Sequence, residues 1–530
     1  MSLLTSQDAG RDAALARDVT TRTARLIMVL LVLLGASLRF YRLGAQSLWI
    51  DELLTIGAAN IGGTLGREAL SNIQGPLHAV LIHFIAKLST SELALRGLSA
   101  LAGTATIPVI YLLGRDTAGR RTGLVAATLI TVSPFAVWYS QEVRNYALLI
   151  FLASVSTLAA WRIMVAGTRS WRSYAVTMTL ALYSNLSAAF LWLAHALFGL
   201  GRLARMHRVM KWAATCVVIG LLAVPLMMAL ANWVEVDEVS DRVVVAPLAD
   251  DGQLLRGATT FSPMGIPYSL FTMVYGYSLG PGASELHTGS PLAAFAGHLW
   301  LVVPAALLAV VVFLLGFVRL FRDGAAGRLV TSVMVVPFLA ATSLALLNIK
   351  PFNVRYVAVM LPVVVVTMAA GVVSLPRLRG AWLWCGVVLF SLLALGNYYF
   401  VPEYSREDVR GAAHYVAENE QPGDIILVPV VRDVFRYYFE GSSGMFVVYR
   451  GQTASPDRLG TVVDGRTAGH ERLWFVNSRL WRMDEGLKTP GFLAERYREL
   501  DRREFAGATV VLYDLREAPE AAEDGVLTEP

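Results

Sequence analysis

Residues 26–57 read LIMVLLVLLGASLRFYRLGAQSLWIDELLTIG. An apolar run fit to enter a bilayer is followed almost at once by two carboxylates, Asp51 and Glu52. Acids that close to lipid are costly unless they line a wet cavity or take part in chemistry. The same pairing of apolar segment and charge recurs at Glu142 and Arg144 in WYSQEVRNYALL (138–149), and at Lys350 and Arg355 in NIKPFNVRY (348–356). Three ionisable clusters, each at the edge of an apolar segment, predict one polar site built at a membrane face.

Composition agrees. The 530 residues are 55% hydrophobic and 16% charged, and long apolar runs recur between residues 26 and 400, the pattern of an integral membrane protein. A formal charge of +5 does not point to nucleic acid. The Lys and Arg are dispersed through short loops, and no basic, aromatic-interleaved patch stands out. Cys216 and Cys385 lie inside apolar runs and read as small core residues, without a disulfide or thiolate metal site.

Apolar runs near 93–113, 121–139, 145–166, 173–200, 212–233, 294–318, 329–347, 356–375 and 381–400 follow the first, with 173–200 divided into two short helices around Ser184-Asn185. Basic loops at Arg115/Arg120/Arg121, Arg162/Arg169/Arg172, Arg202/Arg205/Arg208/Lys211, Arg319/Arg322/Arg328 and Arg377/Arg379 alternate with loops poor in Lys and Arg. The segment 234–293 is acidic. Basic loops inside and acidic loop outside make one consistent alternation. It decides the reading of 76–88 (PLHAVLIHFIAKL), which at 13 residues is too short for an easy span of roughly 20. This is a juxtamembrane or re-entrant helix, leaving about eleven crossings. The first helix stays in the chain, with Arg39, Tyr41 and Arg42 as interfacial anchors and the N-terminus in the cytoplasm.

The expected fold is therefore mainly α. A polytopic bundle of about 11–13 transmembrane helices carries a small C-terminal α/β domain. Residues 1–25 form a cytoplasmic tail, 26–401 the transmembrane domain with outer loops 41–92 and 234–293, and 402–530 the extracytoplasmic domain. In that domain Ser405-Arg406-Glu407-Asp408 reads as a capping box opening a helix at 406–419, and 424–430, 445–449, 473–477 and 509–513 read as strands.

Adjacent helical side chains diverge by about 100°, so only one of Asp51 and Glu52 can face a given reacting atom. Glu142 and Arg144, two apart, do not face each other and each needs a partner elsewhere. With Trp138, Tyr139 and Tyr146 they also suit an interfacial girdle. Lys350 and Arg355 are outside positives that suit a phosphate or, on the plainer reading, lipid headgroups. His78 and His83 are five apart and make no metal pair.

Asp51-Glu52 after the first helix, Gly75-Pro76-Leu77-His78, Leu95-Arg96-Gly97-Leu98-Ser99-Ala100, the string from Tyr139 to Tyr146 and Arg355-Tyr356 together resemble the GT-C-fold glycosyltransferases. Among them the chain is similar to bacterial members of the protein O-mannosyltransferase and lipid A aminoarabinose transferase group. The resemblance implies a multi-pass protein of the bacterial inner membrane. Such an enzyme takes a sugar from a polyprenyl-phosphate carrier and passes it to a glycan, lipid or protein acceptor on the extracytoplasmic face. It implies Asp51 as general base with inversion, Glu52 beside it, and Glu142 as second acid. Arg96, Arg144 and Arg355 would hold the phosphate. The residues themselves add Lys350 to those cations and put Tyr139, Tyr146 and His78 at the substrate, a plain interfacial place being the other reading of His78. Relatives often carry two prolines where Gly75-Pro76 stands and an Asp where Glu142 stands. Whether Glu142 is catalytic or positions Arg144 stays open, as does metal dependence, a divalent cation being one option. A transporter or flippase of lipid-linked sugars is the alternative.

The alternation of basic loops places residues 114–122 in the cytoplasm. A cysteine introduced at Thr117 is expected to stay unlabelled by a membrane-impermeant maleimide in intact cells; labelling from outside would invert the assignment.

Overall fold

Thr20 opens the first helix, its hydroxyl accepting the Thr23 N–H, and the helix that follows shows Leu26, Val29, Leu30 and Leu33 on its outer surface, the face a helix turns to lipid. The structure, a computed structural model, describes residues 20–60, 75–203, 208–240, 265–282, 291–347, 352–449, 455–480 and 488–516 and a few single positions between them. Lys350 and most of the acidic segment between 241 and 290 lie outside these described residues.

In chain order the helices are α1 (Thr21–Phe40), α2 (Ile50–Ala58), α3 (Pro76–Ala86), α4 (Glu92–Ala118), α5 (Arg120–Thr131), α6 (Pro134–Ser140), α7 (Tyr146–Met164), α8 (Trp171–Ser184), α9 (Ala188–Leu203), α10 (Val209–Ser240), α11 (Gly265–Tyr275), α12 (Pro291–Arg322) and α13 (Ala325–Leu346). A 3₁₀ turn, Val354–Met360, leads into α14 (Leu361–Ser374), and α15 (Arg377–Phe400) completes the bundle. Among the described residues eight helices are long and apolar enough to cross a membrane, or nine if α5 and α6, bent by 55°, make one broken span. The long run 173–200 is divided at Asn185 as expected, and α3 is only 11 residues long.

α4 packs against α5 and α7, and α12 against α14. At the second contact Gly316 and Gly371 lie on the facing carbonyls of Thr367 and Val312, where any Cβ would overlap backbone. This is the small-residue approach that membrane helices use in place of a hydrophobic drive. Two expectations are corrected. Arg39 is no interfacial anchor: it is buried and donates to the carbonyls of Ile130 and Thr131 at 3.0 and 3.2 Å, satisfying oxygens that the C-terminus of α5 leaves without a helical partner. Cys385 is exposed on the bundle and Cys216 only partly buried, so neither is a core residue.

Beyond the bundle come α16 (Val409–Asn419), β1 (Ile425–Leu427), α17 (Arg432–Tyr438), β2 (Gly444–Phe446), α18 (Pro456–Thr467), β3 (Arg472–Asn477), α19 (Lys488–Arg496), β4 (Arg498–Phe505) and β5 (Ala508–Asp514). The sheet order is β2-β1-β3-β5-β4, with β1 parallel to β2 and β3, and β5 antiparallel to β3 and β4. Alternation along the strands sends Ile426, Trp474, Val510 and Leu512 to one face under α16 and α17, and Leu427, Phe475, Val511 and Tyr513 to the other. β4, RELDRREF, carries mostly charged and exposed side chains and so offers no hydrophobic strand signal in the sequence. The expected capping box is also corrected. α16 starts at Val409 with Asp408 as its cap, accepting from the Gly411 N–H at 2.9 Å, while the Ser405 hydroxyl turns back to the Pro402 carbonyl.

The first face of the sheet does not end at its own helices. Ile50 and Leu53 of α2 pack against that core, so the helix bearing the acid pair lies between the membrane bundle and the sheet.

Candidate active site

The two acids of α2 part company as helical geometry requires. Glu52 turns inward and is fully buried. Its Oε1 accepts from Arg96 Nε at 2.8 Å and the Val143 N–H at 2.7 Å. Its Oε2 accepts from Arg96 Nη2 at 2.8 Å, Arg406 Nη1 at 3.1 Å and the Trp49 N–H at 3.4 Å. Burial alone would raise its pKa, but Arg406 and Arg96 hold the carboxyl below its usual range. Arg96 in turn sends its remaining N–H groups to the carbonyls of Leu43, Gln46 and Ser47. Expected at the substrate, Arg96 instead has every N–H engaged in holding Glu52 and the segment between α1 and α2.

Asp51 points the other way and is about one-fifth exposed, its side chain at 21%. Oδ2 receives Arg355 Nη1 at 3.0 Å and lies 3.8 Å from Arg144 Nη2. Arg144 also donates from Nη1 to the Asp51 carbonyl at 3.0 Å and to the Thr55 hydroxyl at 3.1 Å. The Nε atoms of Arg144 and Arg355 are buried without a hydrogen-bond partner among the described residues. Asn353 orders the backbone there, its side-chain oxygen accepting the Arg355 N–H at 3.1 Å.

Beside this group lies a cavity of about 150 Å³ lined by Leu54, Thr55, Ala58, Gly75, His78, Arg144 and Asn145. Gly75 belongs there for steric reasons, since a Cβ would strike the Asn145 amide and the Ser184 carbonyl. His78 is buried with Nε2 unpartnered, and burial, reinforced by Arg144, pushes its pKa down to about 3, so the imidazole is neutral. His83, one of the pair read as too far apart for a metal, bonds instead through Nδ1 to the Ala59 carbonyl at 2.8 Å and ties α3 to the end of α2.

Glu142 and Arg144 find separate partners, as their spacing demanded. Glu142 is buried and its Oε1 lies 3.1 Å from Arg406 Nη2. That approach is an ion pair by distance without hydrogen-bond alignment, and neither Glu142 oxygen receives a hydrogen bond among the described residues. Burial pushes its carboxyl up to about 7; Arg406 opposes the rise and the Glu52 charge adds to it. Tyr146 lies under the Arg144 guanidinium, 5.7 Å from ring centroid to Cζ. Tyr139 meets Tyr277, from the segment after α11, hydroxyl to hydroxyl at 2.9 Å. Asp51, Arg144, Arg355 and, across the cavity, His78 are thus one constellation, while Glu52 and Arg96, with Glu142 joined to them through Arg406, form the frame behind it. Lys350 lies outside the described residues. Arg406 is the residue the sequence reading missed: it stands in a segment taken for a helix cap, although an arginine just after the last crossing and on the side of the buried acids was a signal to follow. Among the described residues no group of three or more His, Cys, Asp or Glu is arranged to hold a metal ion.

Residues 74–228 match the family of dolichyl-phosphate-mannose-protein mannosyltransferases. Among solved structures the chain is similar to ArnT from Cupriavidus metallidurans in the apo state, with 14% identity, 91% of this chain and 97% of that one covered and a TM-score of 0.54. It is similar also to the same protein bound to undecaprenyl phosphate, with 14% identity, the same coverage and a TM-score of 0.51. A third is the archaeal oligosaccharyltransferase AglB from Archaeoglobus fulgidus in complex with an inhibitory peptide and a dolichol-phosphate, with 12% identity, 94% and 75% coverage and a TM-score of 0.50. No curated protein matches by sequence. The bundle with its C-terminal sheet has the GT-C glycosyltransferase fold, and the resemblance read from the sequence holds at that level.

Because Glu142 holds its proton more tightly folded than unfolded, the stability it contributes is fully present below its unfolded value near pH 4.3 and is lost as pH rises through about 7. Glu142→Gln should gain on the wild type between pH 5 and pH 8, by up to about 3 kcal/mol. Thermal unfolding in detergent across that range measures it, and parallel curves for the two proteins would show that Glu142 does not titrate there.

Proposed function

We propose that this GT-C-fold protein is a membrane glycosyltransferase that moves a sugar from a polyprenyl-phosphate carrier to an acceptor hydroxyl on the extracytoplasmic face of a bacterial inner membrane. The observation that carries the reading is the Asp51 carboxylate set against two arginine forks at the rim of a small cavity. Undecaprenyl phosphate bound to ArnT and dolichol-phosphate bound to AglB, proteins of the same fold, support the choice of carrier. The alternating basic loops support the sidedness, with residues 402–530 outside.

In this mechanism Asp51 takes the proton of the acceptor hydroxyl as its oxygen forms the bond to the anomeric carbon. The bond from that carbon to the carrier phosphate breaks on the opposite face, giving inversion. The phosphate leaves as an anion held by cations and needs no acid. Arg355 and Arg144 supply those cations, and Lys350 precedes Arg355 in the same segment. Arg355 rests on Asp51; a donor phosphate would draw the guanidinium to itself and leave the carboxylate open to the acceptor. His78, neutral and with a free ring nitrogen, can hydrogen-bond the sugar in the cavity, and Tyr139 and Tyr146 wall the approach. Glu52 has five donors on its two oxygens and Arg96 no spare N–H, so their part is to hold α2. Glu142 stands behind Arg144 and Asp51 as a second acid.

Asp51→Asn keeps the shape and removes the base, so transfer in vitro from a polyprenyl-phosphate sugar should fall by roughly a hundredfold or more with expression and donor binding retained. Near-normal transfer would overturn the mechanism, and a wild type that moves the donor across vesicles intact would favour a flippase. Removing the phosphate cation with Arg355→Ala should lower the rate by on the order of 3 kcal/mol, and Arg355→Lys should restore only part, because a point charge lacks the planar fork. Steady-state kinetics with varied donor reads both, and an Arg355→Ala enzyme with unchanged kinetics takes that residue out of the site.

A further inference from the structure

We infer that Arg406, delivered by the linker between the membrane bundle and the C-terminal sheet, is a positioning residue that fixes Glu52 and Glu142 together and so holds the helix bearing Asp51 in its working orientation. The inference deepens the transfer reading above and rests on it for its kinetic consequence only. Arg406 is buried, and one guanidinium serves three residues on two elements. Nη1 reaches Glu52 Oε2 on α2 at 3.1 Å, while Nη2 lies 3.1 Å from Glu142 Oε1 and donates at 3.3 Å to the Gln141 carbonyl in the loop between α6 and α7. Its Nε finds no partner among the described residues, so the side chain is held by these ionic contacts.

The charge arithmetic makes the residue more than a strut. Glu52 and Glu142 are both buried, and Arg96 faces only the first. Take Arg406 away and Glu142 keeps no cation in contact, while Arg144 remains engaged with Asp51 and Thr55. A buried charge left without its partner is strongly unfavourable. Glu142 would then hold its proton to higher pH, and the Val143 N–H to Glu52 contact that joins α2 to the loop between α6 and α7 would loosen. The linker and the C-terminal domain behind it seat the arginine. Ser47 donates to Asp408 Oδ1 at 3.0 Å, Arg410 pairs with Glu92 at 3.0 Å and donates to the Ala45 carbonyl at 2.6 Å, and the Arg479 guanidinium lies over Trp49 at 5.6 Å.

The test compares wild type, Arg406→Lys and Arg406→Gln, purified as full chains in detergent, by hydrogen exchange and by kinetics. Peptides covering 48–58 and 140–146, far from residue 406 in sequence, should exchange at least about tenfold faster in Arg406→Gln. For transfer, kcat should fall more than tenfold with the donor KM little changed, and the rate–pH profile should move to higher pH, with Arg406→Lys recovering part of each. Faster exchange in those peptides, with a wild type that transfers no sugar, would leave the positioning role standing and remove the transfer reading. Wild-type exchange in those peptides in Arg406→Gln overturns the inference, as does wild-type kcat and pH profile per folded molecule. If Arg406→Gln does not accumulate, Arg406→Lys carries the same measurements, and wild-type exchange and pH profile in it overturn the inference equally.

Discussion

One buried carboxylate organises the working end of this protein. Glu52 is removed from water, and an anion there is tolerable only because Arg96 and Arg406 meet it with aligned donors and two backbone N–H groups complete its shell. The five donors come from four residues on four stretches: Trp49 before α2, Arg96 on α4, Val143 between α6 and α7, and Arg406 in the C-terminal linker. A single ion with several donors fixes four segments at once, which non-directional apolar packing cannot do with the same angular definition. Asp51 inherits its orientation from its neighbour, since the helix that buries one acid must turn the other outward.

The bundle supplies the rigid background. Where helices meet at Gly316 and Gly371 the backbones approach closely, and Arg39 closes the exposed carbonyls of α5 from within the first helix. Both devices satisfy the rule that backbone polar groups in a bilayer find partners inside the protein. The site then occupies the boundary between that apolar body and the sheet, where charges keep partial access to water.

Much of this was legible in the chain because membrane constraints are strict. Span length and loop charge gave the helices, the break at Asn185 and the short α3, and helical geometry separated Asp51 from Glu52 and sent Glu142 and Arg144 to different partners. What escaped the reading was set by long-range pairing. The residue pair Arg406 and Glu52 is 354 positions apart, and local rules offered SRED a more familiar role as a cap. Arg39 looked like an anchor because it sits at the end of an apolar run, and only the position of α5 shows it to be buried. β4 was invisible because an edge strand with charges on both faces has no apolar alternation, although those charges discourage pairing with a second sheet edge.

The distance in sequence between Arg406 and its acids also sets a timetable. A ribosome adding about 5–20 residues per second finishes the linker roughly 20 to 70 seconds after Glu52 has been made. Through that interval the two carboxylates wait without one of their cations, protonated or open to water, and the cleft around them cannot settle. The cleft is therefore completed from the far end of the chain. A chain that stalls before residue 406 has its early helices in hand yet leaves Glu52 with Arg96 as its one cation and Glu142 with none in contact.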